Sequence, residues 1–156
     1  MDVSFVEKET FYVYGYSVET TLEQNDQDVS ALYDDFFHSG KETAFMELKG
    51  CEKGYYGLSW YTQGHERYRY LLGIAAGKDN AAPEKAVMKE VPKTSYAVAR
   101  FPQGEDILKA WSEFFYNGIP AAGFKVNEMH NCYFEYYPGS AYGAFELWVP
   151  VVKAGV

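Results

Sequence analysis

The sequence predicts an α+β fold: two tandem βαββ modules forming one antiparallel sheet, with two helices on one face and a central cleft between the halves. Three observations point there. The order strand–helix–strand–strand occurs twice, on either side of a polar stretch at residues 77–85. Aromatic residues make up 19% of the 156 residues, including 15 tyrosines, more than a core alone needs. The C-terminal stretch CYFEYYPGSAYGAFELWVPVVK reads as strand, turn, strand, and each strand holds one carboxylate among aromatics, Glu135 and Glu146.

Taken in order, residues 3–19 read as one extended segment, with Gly15 as a bulge or close-approach point. Asn25, Asp26 and Asp28 offer helix N-caps. Val29, Leu32, Tyr33, Phe36 and Phe37 then fall at helical spacing, and Gly40 is the stop. Residues 41–54 are mixed, a short helical turn or a packed loop. Tyr55–Thr62 and Arg67–Ala76 are two strands joined by a loop from Gln63 to Glu66. The stretch GKDNAAPEK is the linker, which divides a single domain of residues 1–156 into pseudo-repeats 1–78 and 84–156.

The second half opens with an extended segment at 86–101. An offset of 84 aligns Thr10 with Thr94, Tyr12 with Tyr96 and Gly15 with Ala99. Glu105 and Asp106 suit a helix N-terminus, and Ile107, Leu108, Trp111, Phe114 and Phe115 follow helical spacing. Gly118 and Pro120 end that helix. Two βαββ units pair naturally into one sheet, and a pseudo-twofold interface is a natural place for a ligand cleft.

Charge and motif content exclude several classes. The net charge of −8 and a pI near 4.9 argue against nucleic-acid and anionic-membrane binding and favour a cationic partner. No leader-like or membrane-spanning run occurs, and the two cysteines, Cys51 and Cys132, lack a metal or redox spacing, so a reducing cytoplasmic setting is expected. His38, His65 and His130 lie far apart, so no metal site or cofactor is expected. No nucleophile elbow or phosphate loop occurs either, so no catalytic residue is assigned.

An acid within an apolar strand is costly unless its charge is offset, and no Lys or Arg lies between Lys125 and Lys153. At least one of the two acids is therefore expected to face a hydrophobic cavity where a cationic ligand supplies the missing charge. Strand alternation puts Ala144, Glu146, Trp148 and Pro150 on one face of the last strand and Phe145, Leu147 and Val149 on the other.

The closing strand FELWVPV, the preceding FEYY and, more loosely, YGYSVE and AWSEFFYNG are similar to segments of the effector-binding domain family called GyrI-like or AraC-effector-binding. The resemblance covers Val3 to Val152. It implies the tandem βαββ fold and a drug- or metabolite-sensing role, often fused to a DNA-binding domain. Here it implies the stand-alone form found on mobile gene cassettes, without direct nucleic-acid contact. It further implies that bulky lipophilic cations bind in an aromatic pocket with a buried Glu. Glu146 is the first candidate for that acid and Glu135 the second, so Glu146→Gln is expected to weaken cation binding. Trp60, Tyr70, Trp111, Trp148, Tyr14 and Tyr137 are the candidate aromatic walls. A homodimer or a separate regulatory partner remain open. The alternative is a hydrolase using a buried Glu with Tyr as general acid or base. A second alternative is an interaction module with an exposed aromatic patch.

Overall fold

Each half of the chain opens with a pair of strands joined by two residues. The computed structural model describes residues 1–63 and 66–155. Strand β1 (Val3–Lys8) is followed by β2 (Phe11–Thr20), and β5 (Val87–Val91) by β6 (Thr94–Phe101). Between the pairs lie α1 (Asn25–His38), a short α2 (Glu42–Met46), β3 (Tyr55–Gln63) and β4 (Arg67–Ala76). After β6 come α3 (Ile107–Glu113), a π-helical turn (Phe114–Gly118), α4 (Ile119–Ala121), β7 (Phe124–Val126), β8 (Cys132–Tyr137) and β9 (Phe145–Lys153). Strands β3 and β4 pair antiparallel as expected; the tip of their connection, residues 64–65 with His65, lies outside the described residues.

The sheet order is β1-β6-β9-β8-β3-β4-β2-β5, with β7 added to β9. The halves thus have the same internal order, β2-β4-β3 and β6-β9-β8, and meet where β8 pairs with β3. This corrects the reading of 3–19 and 86–101 as single extended segments. The connections are only two residues long, Glu9–Thr10 and Pro92–Lys93, so each pair of strands reads as one run, while the chain passes from one end of the sheet to the other. A flat sheet would hold β1 and β2 about 29 Å apart, six spacings of about 4.8 Å, whereas the connection reaches about 11 Å. The sheet is therefore rolled. Phe11 of β2 confirms it: its ring lies 5.5 Å from Phe134 of β8, three strands away.

The two crossing connections touch. Lys93 Nζ lies 3.1 Å from Glu9 and 3.6 Å from Glu7, and the Lys93 N–H donates to Thr10 Oγ1 at 3.1 Å. The concave side closes on itself as one core that includes Phe11, Tyr56, Leu58, Tyr96, Val98 and Phe134. The other side carries the helices, α1 with the short α2 over one half and α3 with its continuation over the other, rather than the two expected. Tyr33 and Phe36 of α1 and Phe45 of α2 pack on β2 and β4, while Ala110, Phe114 and Ile119 pack on β6 and β9. An offset of 84 between the halves matches Tyr12, on the helix side, with Tyr96, in the concave core. An even offset therefore pairs residues on opposite faces, as a one-residue slip does in any strand.

Local chemistry sets the helix ends. Asp106 caps α3, its carboxylate accepting from the Leu108 and Lys109 N–H groups at 2.9 and 3.3 Å. Gly40, with φ +76°, sits just past α1. The expected stop at Gly118 and Pro120 is not one. The helix widens into the π turn and runs on into α4, with Pro120 as its second residue, and ends at Ala121. The linker is tied down: Asn80 accepts from the Lys49 N–H at 2.8 Å and donates to the Lys49 and Gly77 carbonyls, both at 2.9 Å. No described helix is long and apolar enough to cross a membrane.

Candidate functional site

The face on which each acid lies follows from register. Glu135 of β8 pairs with Gly57 of β3 on one side and Leu147 of β9 on the other, so it shares the helix side with Leu147. Glu146 pairs with Tyr136 and points to the opposite side. The helices leave a cavity of about 790 Å³ between α1 and α3, with the central strands as its floor. That volume suits a drug-sized ligand, for which pockets run roughly 300–1,000 Å³.

Glu135 sits in this floor, 7% exposed. Its Oε1 accepts hydrogen bonds from the Tyr70 hydroxyl, from Tyr137 at 3.2 Å and from Tyr33 at 3.5 Å. The Tyr33 and Tyr70 hydroxyls are also 2.9 Å apart. Its Oε2 accepts from Trp111 Nε1 at 3.2 Å. Tyr33 comes from α1, Tyr70 from β4, Trp111 from α3 and Tyr137 from β8, so both helices are tied to the sheet through one carboxylate. Gly57 makes the arrangement possible. A Cβ there would overlap the Tyr70 hydroxyl and lie 2.7 Å from Glu135 Oε1.

Among the described residues of the lining, no cation answers this charge. The described residues lining the cavity include four carboxylates, Asp26, Asp34, Glu105 and Glu135, and no Lys, Arg or His. Burial pushes the Glu135 carboxyl above its ordinary range, while the four donors pull it back. Burial and the neighbouring Glu135 charge raise the Tyr70, Tyr137 and Tyr33 hydroxyls. Tyr68 is pushed up to about 12 by the same two causes in the same order. At neutral pH these groups are neutral donors.

Eight tyrosines line the cavity, with Trp111, Phe115 and Phe145 among the other rings. Such walls offer π faces to a cation and hydroxyls to a polar group. Among the described residues there is no cluster of three or more His, Cys, Asp or Glu able to hold a metal. Both cysteines are free thiols, and burial pushes that of Cys132 up to about 12.

Of the residues singled out in the sequence, the structure brings Glu135, Tyr70, Trp111 and Tyr137 together at the cavity. Four others lie differently. Glu146 is on the opposite side, where Arg100 Nε donates to it at 3.0 Å and Trp148 Nε1 at 2.9 Å. The counter-charge absent from its own stretch arrives from β6. Trp148 stacks on Phe134 at 5.2 Å, against the concave core. Trp60 borders the cavity, but its ring packs on that same core with Lys89 Nζ 4.5 Å above it. Tyr14 is fully buried and donates to the Gly77 carbonyl at 2.6 Å, securing the linker. Tyr33 and Gly57 were not singled out. Gly57 carried a signal, a glycine inside an aromatic strand, whereas Tyr33 read as one more apolar position of α1.

Three comparisons bear on this arrangement. A family model described as Cass2, integron-associated effector binding protein, matches residues 4–151. The match agrees with the resemblance carried by FELWVPV and FEYY. No curated protein matches the sequence. Among solved structures, the chain is similar to SAV2435 bound to tetraphenylphosphonium, with a TM-score of 0.77 and 16% identity over 97% of this chain and 94% of that one. It is similar to an integron cassette protein from the mobile metagenome of Vibrio cholerae, with a TM-score of 0.71 and 16% identity over 96% and 95%. It is also similar to the EcmrR C-terminal domain, with a TM-score of 0.62 and 13% identity over 98% of each chain. At these identities the likeness is one of fold.

Proposed function

The chain belongs to the Cass2 family of integron-associated effector binding proteins, and on that premise we propose that it binds bulky aromatic cations in the cavity above Glu135. The observation that carries this reading is a buried carboxylate held by four neutral donors, in a cavity whose described lining has no basic residue. The tetraphenylphosphonium in the SAV2435 structure is a ligand of the proposed kind. A delocalised cation is weakly hydrated and loses little on entering. It gains charge pairing with Glu135 and contacts with ring faces worth about 0.5–2 kcal/mol each. The role of Glu146 in the sequence reading passes to Glu135.

The test uses three probes of nearly one shape: tetraphenylphosphonium, neutral tetraphenylsilane and anionic tetraphenylborate. Tryptophan fluorescence should report binding of the cation alone, and Glu135→Gln should weaken it tenfold or more. Equal binding of the borate, or a cation affinity indifferent to Glu135→Gln, overturns the reading. Product formed from an ester or strained-ring substrate, and lost in Glu135→Gln while affinity is retained, would establish the hydrolase instead.

A further inference from the structure

The two oxygens of Glu135 are unequally supplied. Oε1 faces Gly57, and the Tyr70 and Tyr137 hydroxyls fill its two lone pairs, with the Tyr33 hydroxyl at 3.5 Å and closer, at 2.9 Å, to that of Tyr70. Oε2 accepts one bond, from the Trp111 indole at 3.2 Å, near the long end for N–H···O. A carboxylate oxygen has room for two donors, so Oε2 retains capacity for one more, and Glu135 and Trp111 both line the cavity. Ring faces in the lining serve any cation of suitable size, and the other carboxylates, Asp26, Asp34 and Glu105, are exposed, so that water meets their acceptors; Glu135 is the buried one.

Resting on the proposed cation site, we infer that its preferred ligands are aromatic cations carrying an N–H, such as protonated tertiary amines and amidinium groups, which donate to Glu135 Oε2. Permanently charged cations enter through charge and ring contacts alone and leave that acceptor unused. A charge-assisted N–H···O bond to a buried carboxylate is among the stronger single polar contacts, and a quaternary centre cannot make it. The N–H also supplies direction. It fixes the ammonium beside Trp111, with the aromatic groups of the ligand extending between the helices, whereas a phosphonium is free to turn. No covalent step is involved.

The experiment compares N,N-dimethyl-3,3-diphenylpropylammonium with its N,N,N-trimethyl counterpart, two cations of one skeleton that differ in a single N–H. Affinities are measured by isothermal titration on the wild-type chain, Glu135→Gln and Trp111→Phe. The N–H cation should bind about tenfold tighter to the wild type. That gap should close in Glu135→Gln and persist or widen in Trp111→Phe, which removes the competing donor while keeping a ring. Equal affinities in the wild type, tighter binding of the trimethyl ligand, or a gap surviving Glu135→Gln would overturn the inference. Tetraphenylphosphonium titrated against the same variants separates the two failures. If its binding depends on Glu135 while the amine pair shows no gap, the cation site stands and the N–H preference falls. If its binding ignores Glu135, the site assignment itself falls.

Discussion

Glu135, between Phe134 and Tyr136, and Glu146, between Phe145 and Leu147, stand on neighbouring strands of one sheet, and they have opposite fates. Glu146 looks onto the helix-free side, where Arg100 pairs with it and the Trp148 indole donates a second bond. Glu135 looks onto the helix side, where hydroxyls and an indole donate to it but no described lining residue neutralises its charge. Hydrogen bonding and charge balance are separate requirements, and the sheet meets them separately. A half-buried acid with its own arginine is complete. A buried acid with neutral donors is stable enough to fold and still lacks a partner.

The largest effect that would break this contrast is expected at Gly57. Gly57→Ala places a methyl against the Tyr70 hydroxyl and the Glu135 carboxylate and should cost about 1–3 kcal/mol in urea denaturation. Tyr70→Phe added to it should recover part of that loss, since it removes the atom the methyl meets. A Gly57→Ala chain as stable as the parent would show that the carboxylate does not need the vacancy.

Next comes the pair of acids themselves. Glu135→Gln should cost at least about 1.4 kcal/mol of tetraphenylphosphonium binding, a tenfold change, whereas Glu146→Gln should leave the affinity within about twofold. Equal losses in both variants would erase the distinction between the faces.

The contrast sharpens with pH. Glu135 has its carboxyl raised in the fold, so the folded chain holds that proton more tightly than the unfolded one. Stability without ligand should therefore fall as pH rises from the ordinary carboxylate range through the raised value. Cation binding runs the other way and should weaken as pH falls through the same interval. Thermal melts against pH, with and without tetraphenylphosphonium, should show both slopes in the wild type and neither in Glu135→Gln. The smallest effect is expected at Arg100, which is 81% exposed as it meets Glu146. Arg100→Ala should change stability by less than about 1 kcal/mol in the same melts and create no cation site there.

Much of this was legible in the sequence. Helical spacing located α1 and α3, period-two runs located the hairpins, and the repeated order indicated two units in one sheet. What escaped depends on distance along the chain. Pro92 marks a break in the second extended segment, but Glu9–Thr10 in the first is only a polar pair, and neither shows that the chain there changes ends of the sheet. The choice between Glu135 and Glu146 turns on which side the helices cover, and no local pattern within residues 132–153 states that. Arg100 lies 46 residues from Glu146, and Tyr33 lies 102 from Glu135, so each acid's true neighbours come from elsewhere. The aromatic excess was readable as cavity wall in general, yet Trp148 and Tyr14 went to structural duty because aromatics serve both faces of the sheet.

The exchanged end strands have one more consequence. Strand β1 is bonded to β6 of the other half, and β5 to β2, so neither half holds its own opening strand. A protease cut between Asn80 and Lys85 would sever the peptide but not the grip: each fragment would still be laced through the other, like two clasped hands. The nicked chain is expected to elute as one species, and fragments made separately to find each other and restore the cavity, a starting point for a two-piece reporter that lights up on reunion.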